Sequence, residues 1–207
     1  MPKAQVLFEK AHNLMRQSSG GDMLARSAEM MKQAADMQHA GAANNYGTML
    51  QHGRGVDEDL IAARSYYAVA ADAGLAEGQF NYGFMCLHGL GGSQDAAMAR
   101  DWFERAAKQD EPDALTHMGR MCMIGEGGPQ DFAAARQWWK QGAEVGDNRC
   151  AFNLGVACAG GHGAPPDFVE ALSWFQLAHR LGNADAAHEI QKLKSVMSEA
   201  EIAASQA

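Results

Sequence analysis

Nowhere do the 207 residues string together the roughly 18 apolar side chains that a membrane-crossing helix needs, although 47% of the chain is hydrophobic. The opening Met-Pro-Lys-Ala-Gln-Val-Leu-Phe-Glu-Lys has no long apolar core before a small-residue cleavage site. It does not read as a secretory signal, and a cytoplasmic location is expected. Basic residues are few and scattered: 17 Lys and Arg stand against 25 Asp and Glu, giving a net charge of −8. That excludes the basic stripe of a nucleic-acid binder and the polybasic patch of a membrane-surface protein. The acidic surface serves solubility.

Cysteine is equally scarce, with four residues, and three of them (Cys86, Cys122 and Cys158) recur every 36 positions. Equivalent points on neighbouring helical repeats lie about 10 Å apart, beyond the Cα separation of about 7 Å that a disulfide tolerates. Cys150 and Cys158 are eight residues apart on one expected helix, about 12 Å at helical rise. Small buried thiols in a reducing compartment are therefore expected.

Eight histidines are present, but no Cys-x-x-Cys or His-Glu-x-x-His pair. His52 and His88 occupy equivalent repeat positions, too far apart for one zinc with bonds of about 2 Å. His12, His39, His162, His179 and His188 are dispersed. No Ser-x-x-Lys, Gly-x-Ser-x-Gly or Lys-Thr-Gly occurs. Gly91-Gly92-Ser93 and Gly127-Gly128-Pro129 lack the lysine of a phosphate-binding loop. No metal, no cofactor and no catalytic residues are expected, so the chain does not read as an enzyme.

What the sequence does have is a period. Gly47, Gly83, Gly119 and Gly155 form one column at 36-residue spacing. Gly53, Gly89, Gly125 and Gly161 form a second, and Gly55, Gly91, Gly127 and Gly163 a third. Asp59, Asp95, Asp131 and Asp167 follow, then Ala63, Ala99, Ala135 and Ala171. An aromatic pair closes each copy: Tyr66-Tyr67, Trp102-Phe103, Trp138-Trp139 and Trp174-Phe175. Self-similarity at this period predicts a stacked array of helix-turn-helix units.

Within each unit, helix A is expected at about 40–51, 76–87, 112–123 and 148–159, and helix B at about 60–72, 96–108, 132–144 and 168–180. The second and third glycine columns end helix A with left-handed backbone. The Asp column caps helix B. The first glycine column lies inside helix A, where glycine costs about 1 kcal/mol relative to alanine. The expected return is close approach of the aromatic pair to bare backbone.

The remaining segments are degenerate. Residues 2–18 form an expected helix that Ser18-Ser19-Gly20-Gly21 breaks, and Asp22 caps a second helix running to Ala35. A last helix A is expected from Ala184 to Met197, with Gln191 in place of the glycine, then a short helix capped by Ser198. The expected fold is all-α: a right-handed α/α superhelix of about five 36-residue repeats plus a C-terminal capping helix. Residues 1–36 form a degenerate first repeat, 37–72, 73–108, 109–144 and 145–180 the clear repeats, and 181–207 the cap, in a single solenoid domain spanning 1–207.

The Gly-x₅-Gly-x-Gly turn, the Asp cap, the aromatic pair and the closing Ala-Ala resemble the Sel-1-like repeat family, a relative of the tetratricopeptide repeats. Departures are the Cys column, where that family commonly has Tyr, and Gly142 in a closing Ala-Ala. The resemblance implies a protein-interaction scaffold or adaptor of bacterial type, monomeric, holding a partner protein or peptide on a concave helix A face. It leaves open an immunity protein that neutralises a toxin by docking on it. A third reading, β-lactam binding or hydrolysis, belongs to a secreted branch with paired cysteines, which this chain lacks. In such arrays helix A lines the concave side. The candidate partner-binding residues are Asn45, His52, Asn81, Phe84, His88, His117, Arg120 and Asn153. Asn45, Asn81 and Asn153 share a column with His117. An amide offers both donor and acceptor to a peptide backbone, and a structural hydrogen bond is the competing role. Met49, Met85 and Met121 either line the same face or fill the core.

Overall fold

Side-chain chemistry at four recurring positions dictates where each helix starts and stops. The computed structural model describes residues 2–17 and 21–205, and no strand occurs among them. Its helices are α1 (Pro2–Gln17), α2 (Gly21–Asp36), α3 (Ala40–Gln51), α4 (Leu60–Asp72), α5 (Ala76–His88), α6 (Ala96–Ala107), α7 (Pro112–Ile124), α8 (Phe132–Glu144), α9 (Asn148–Gly160), α10 (Phe168–Arg180), α11 (Ala186–Lys194) and α12 (Glu199–Ala204). The all-α class and the helix A and helix B assignments agree with expectation to within a residue at each end of the clear repeats.

Each Asp of the fourth column caps its helix B. Asp59, Asp95 and Asp131 accept from the backbone N–H three residues on at 2.9 Å, and Asp167 at 2.8 Å. The same residues' own N–H groups donate back to helix A, to the carbonyls of Leu50, Cys86, Cys122 and Cys158. One residue thus satisfies an orphan donor of helix B and an orphan acceptor of helix A, which fixes the turn. Gly89, Gly125 and Gly161 end helix A with φ of 65°, 73° and 69°. α3 ends one residue earlier, with His52 in the cap position and Gly53 beyond it at φ 62°.

The chain folds as two compact units, one ending at Gln109 and one beginning at Asp110. In the first, α1 packs on α2, α2 on α3, α3 on α4 and α5, α4 on α5, and α5 on α6. In the second, α7 packs on α8 and α9, α8 on α9, α9 on α10, and α10 on both α11 and α12.

Inside each repeat, the first glycine column touches one aromatic ring. A Cβ at Gly47 would lie 2.9 Å from the Tyr67 ring, at Gly83 3.0 Å from Phe103 and at Gly155 2.8 Å from Phe175. At Gly119 it would run into the Trp139 indole. Only the second member of each aromatic pair is this knob, and all four knobs are buried. The first member is half-buried, and in the first two clear repeats it packs edge-on against the residue before the glycine: Tyr66 on Tyr46 at 4.8 Å, Trp102 on Tyr82 at 5.5 Å. The degenerate first repeat solves the same problem differently. Ala11 stands in the glycine position and Met31 in the ring position, both fully buried in one core. A flexible thioether accommodates the methyl that a flat ring cannot.

Two expectations need correction. Asp22 lies in the first turn of α2, which begins at Gly21, and Ser18, Ser19 and Gly20 fall outside the described residues. The last helix A is shorter than expected, because Asn183 Oδ1 accepts from the N–H groups of Asp185 and Ala186 and delays its start. Ser198 caps α12 through a reciprocal box with Glu201, as its spacing suggests.

All four thiols are free and buried. Burial pushes the Cys150 and Cys158 thiols up to about 12. Both stay protonated in the fold where an unfolded thiol ionises, at about pH 8.5. Their stabilisation is intact below that pH and is lost as pH rises toward the folded value. Urea-melt midpoints should be flat between about pH 6 and 8 and fall above about pH 9, with a shallower fall in Cys158→Ala. The Gly83→Leu variant, which forces a branched side chain into the Phe103 ring, should lose roughly 1–3 kcal/mol or more in the same melts.

Candidate functional site

Helix A side chains that do not face helix B are free to meet something else. In the first unit they form a groove between α3 and α5 of about 270 Å³. Its lining includes Thr48, Gln51 and His52 from α3 and its cap, and Glu77, Asn81 and Phe84 from α5. The period brings these two sets side by side because α3 and α5 are successive copies of the same helix and pack together. His52, Asn81 and Phe84 therefore do converge. His88 extends the site: its exposed ring lies 4.4 Å from that of Phe84. Asn45, half-buried on α3, is not among the groove's lining residues.

The hydrogen bonds divide the candidates further. Asn81 Nδ2 donates to Asn44 Oδ1 at 2.8 Å, so part of the Asn81 amide locks α5 to α3. Asn44 is 1% exposed, and no other polar side chain among the described residues bonds its amide. At the groove's floor, the Tyr67 hydroxyl donates to Gln51 Oε1 at 2.7 Å and lies 3.1 Å from Thr48 Oγ1. Burial raises the Tyr67 phenol above its ordinary value, so it remains a neutral donor. Gln51 keeps its amide N–H groups for the groove.

In the second unit the remaining candidates are on α7 and α9, which are in contact. His117 and Arg120 are half-buried on α7, and Asn153 on α9. Arg120 forms an ion pair with Glu126 in the turn that follows α7, at 2.7 Å. Its guanidinium is thus held at the helix end, with side-chain exposure of 42%. Met49, Met85 and Met121 are 0–2% exposed and belong to the core, which settles their role.

Sequence reasoning missed Asn44, Thr48, Gln51, Glu77 and the Tyr67 hydroxyl. Thr48 and Gln51 were within reach, since they follow Asn44 at helical spacing and flank His52. Tyr67 was assigned wholly to the core, and its ring is there; its oxygen reaches the groove edge. Among the described residues, no three His, Cys, Asp or Glu side chains converge as a metal would require, and no helix is long and apolar enough to cross a membrane.

An Asn81→Ala substitution strands the buried Asn44 oxygen, and a buried acceptor without a partner costs about 1–3 kcal/mol. Urea melts should show that loss for Asn81→Ala and much less for Asn153→Ala, because Asn153 makes no side-chain hydrogen bond among the described residues.

The geometry has counterparts elsewhere. The chain resembles a protective antigen, c5321, of uropathogenic Escherichia coli with an SLR fold, at a TM-score of 0.87 and 24% identity. The match covers 98% of this chain but only 44% of the antigen, so the chain spans less than half of that relative's length. A Sel1 repeat protein from Oxalobacter formigenes matches at a TM-score of 0.80 and 25% identity, over 89% of this chain and 72% of the other. The immunity protein Pa5087 from Pseudomonas aeruginosa matches at 0.57 and 21%, over 90% and 69%. A comparison with curated proteins finds no match. The Sel1 repeat profile fits four consecutive stretches, residues 40–75, 76–111, 112–147 and 148–183, each beginning where helix A begins. These four copies take up well over half of the chain, which belongs to the Sel1 repeat family.

Proposed function

We propose that the chain is a protein-interaction adaptor that holds an extended segment of a partner protein against its helix A side chains. The observation that supports this most is the groove between α3 and α5, where His52, Asn81 and Phe84 converge with Thr48 and Gln51. Amide and hydroxyl groups in that lining both give and accept hydrogen bonds, which suits a peptide backbone irrespective of its sequence. Phe84, beside the exposed His88 ring, supplies apolar surface for one side chain of the bound segment. In the second unit, Asn153 and His117 offer the equivalent positions. Membership in a repeat family favours binding over catalysis. The reading is of a monomer in the cytoplasm that recognises protein rather than nucleic acid.

A second reading is inhibition. Two of the structural relatives are immunity proteins of Pseudomonas aeruginosa, Pa5087 and PA5088, and an immunity protein neutralises its target by docking on it. The two readings differ in stoichiometry and consequence. An inhibitor abolishes the activity of one protein at a one-to-one ratio, and an adaptor leaves its partner active.

The site is tested by photo-crosslinking in the native cell with a benzophenone amino acid at position 52. One discrete crosslinked protein is expected, and Phe84→Ala combined with Gln51→Ala should reduce its yield by roughly tenfold, the effect of losing about 1.4 kcal/mol of binding. An unchanged yield in the folded double variant would remove the helix A groove as the binding face.

A further inference from the structure

The repeats are not identical on their helix B side, and two of them differ in a coordinated way. In the first unit, Arg64 of α4 lies over the turn after α5. Its Nη1 donates to the carbonyls of Leu90 at 3.4 Å and Ser93 at 3.1 Å, and its Nη2 lies 3.3 Å from Cys86 Sγ. The Tyr82 ring fills the space beneath, 5.9 Å from the guanidinium and edge-on to Trp102. Gly92 makes this possible, since a Cβ there would come within 2.5 Å of Arg64 Nη1.

Seventy-two residues on, in the second unit, four members of this arrangement change together. Leu154 replaces Tyr82, Ala164 replaces Gly92, Glu170 replaces Met98 and Lys140 replaces Ala68. Ala164 carries the methyl that the Arg64 geometry excludes. Arg136 instead pairs with Glu170 through Nη2 at 2.9 Å, and its buried Nη1 has no hydrogen-bond partner among the described residues. Leu154 is too short to fill the volume of the tyrosine. A cavity of about 370 Å³ remains, walled by Arg136, Gln137 and Lys140 of α8, floored by Leu154 and edged by Gly163 and Glu170.

Charge and shape specify what fits. Lys140, exposed at the cavity wall and without an ion-pair partner among the described residues, asks for an anion. Glu170 does not oppose one strongly, because its oxygens already accept from Arg136 and from Trp174 Nε1 at 3.2 Å. The apolar floor asks for a ring, and the first unit shows a ring under the equivalent arginine. We propose that this cavity is a second docking site, on the helix B side, for the C-terminal residue of a partner protein that ends in an aromatic side chain. The ring occupies the space that Tyr82 fills two repeats earlier, beneath the Arg136 guanidinium, and the terminal carboxylate accepts from Lys140 Nζ. A planar guanidinium suits the ring contact, as Arg64 does over Tyr82. The site is separate from the helix A groove and does not depend on it.

The test uses the full chain, labelled with nitrogen-15, and three synthetic pentapeptides. One is Gly-Ser-Gly-Ser-Tyr with a free carboxylate, one is its C-terminal amide and one ends in Leu. The Tyr acid should shift the Trp174 indole N–H resonance, and the amide and Leu peptides should bind weaker by roughly tenfold or more, the discrimination that one pocket contact gives. Leu154→Tyr, which rebuilds the first unit's filling, should abolish binding. If that variant fails to fold, Lys140→Ala, at an exposed position, should weaken the Tyr acid several-fold without changing the melt. Phe84→Ala should leave this binding intact, so failure here and failure of the helix A groove are told apart. Equal binding of the three peptides, no shift at millimolar peptide, or unchanged affinity in folded Leu154→Tyr or Lys140→Ala would each overturn the proposal.

Discussion

An aromatic ring lying on glycine backbone is the contact from which the rest of the architecture follows. Glycine inside a helix costs about 1 kcal/mol, and fully burying a large apolar side chain contributes about 1.5–3 kcal/mol. The exchange is favourable only if the ring reaches the backbone, so the pair must occur together. Four times it does, with Tyr67, Phe103, Trp139 and Phe175 as the rings. Once the two helices are pinned this closely, only small residues fit between them. Ala63, Ala99, Ala135 and Ala171 are fully buried in that seam. Where the ring is missing the glycine goes too: Gln191 stands in the column on α11 and is exposed, and no aromatic helix B follows it.

Stacking of one repeat on the next depends on a second backbone contact. A Cβ at Gly55 would lie 2.6 Å from the Leu24 carbonyl, and one at Gly163 3.0 Å from Phe132. These two turns thus rest directly on the preceding helix B, with glycine at positive φ of 75° and 83°. The Asp residue that follows ties both helices to that turn. Together these contacts leave most of the outward face of helix A and of the exposed stripe of helix B with little structural duty, and those are the surfaces where the sequence varies from copy to copy.

That division explains what could be read without coordinates. Anything repeated was legible, because four copies of a residue at one interval have one physical cause. The glycines, the Asp caps and nearly every helix boundary of the clear repeats fall in this class, and the three thiols that recur come close to it. Residues that occur once were not. Asn44 sits in a column otherwise held by Phe80, Thr116 and Phe152, so nothing in the period announced that it would bond Asn81. The early start assigned to α11 failed for the same reason, since Asn183 acts there through a local turn with no counterpart elsewhere. The aromatic pairs were half legible. Both members recur, but helical geometry lets only one of two adjacent residues face the glycine.

Departures from the period therefore carry more information about function than the period itself. A column that must pack is conserved within the chain by mechanics alone and says nothing about partners. The Arg64, Arg100 and Arg136 column shows the distinction within one set of residues. Arg64 is consumed by its own fold, bonded to two turn carbonyls and spread over Tyr82. Arg136 is left with a buried nitrogen unsatisfied, above a floor that has lost its ring. The Asn column divides in the same way, with Asn81 bonded to Asn44 and Asn153 bonded to no side chain among the described residues. In both columns one copy shows how the fold satisfies the group by itself. The other shows the same group with the internal partner removed, and that contrast is the physical basis of both proposed contacts.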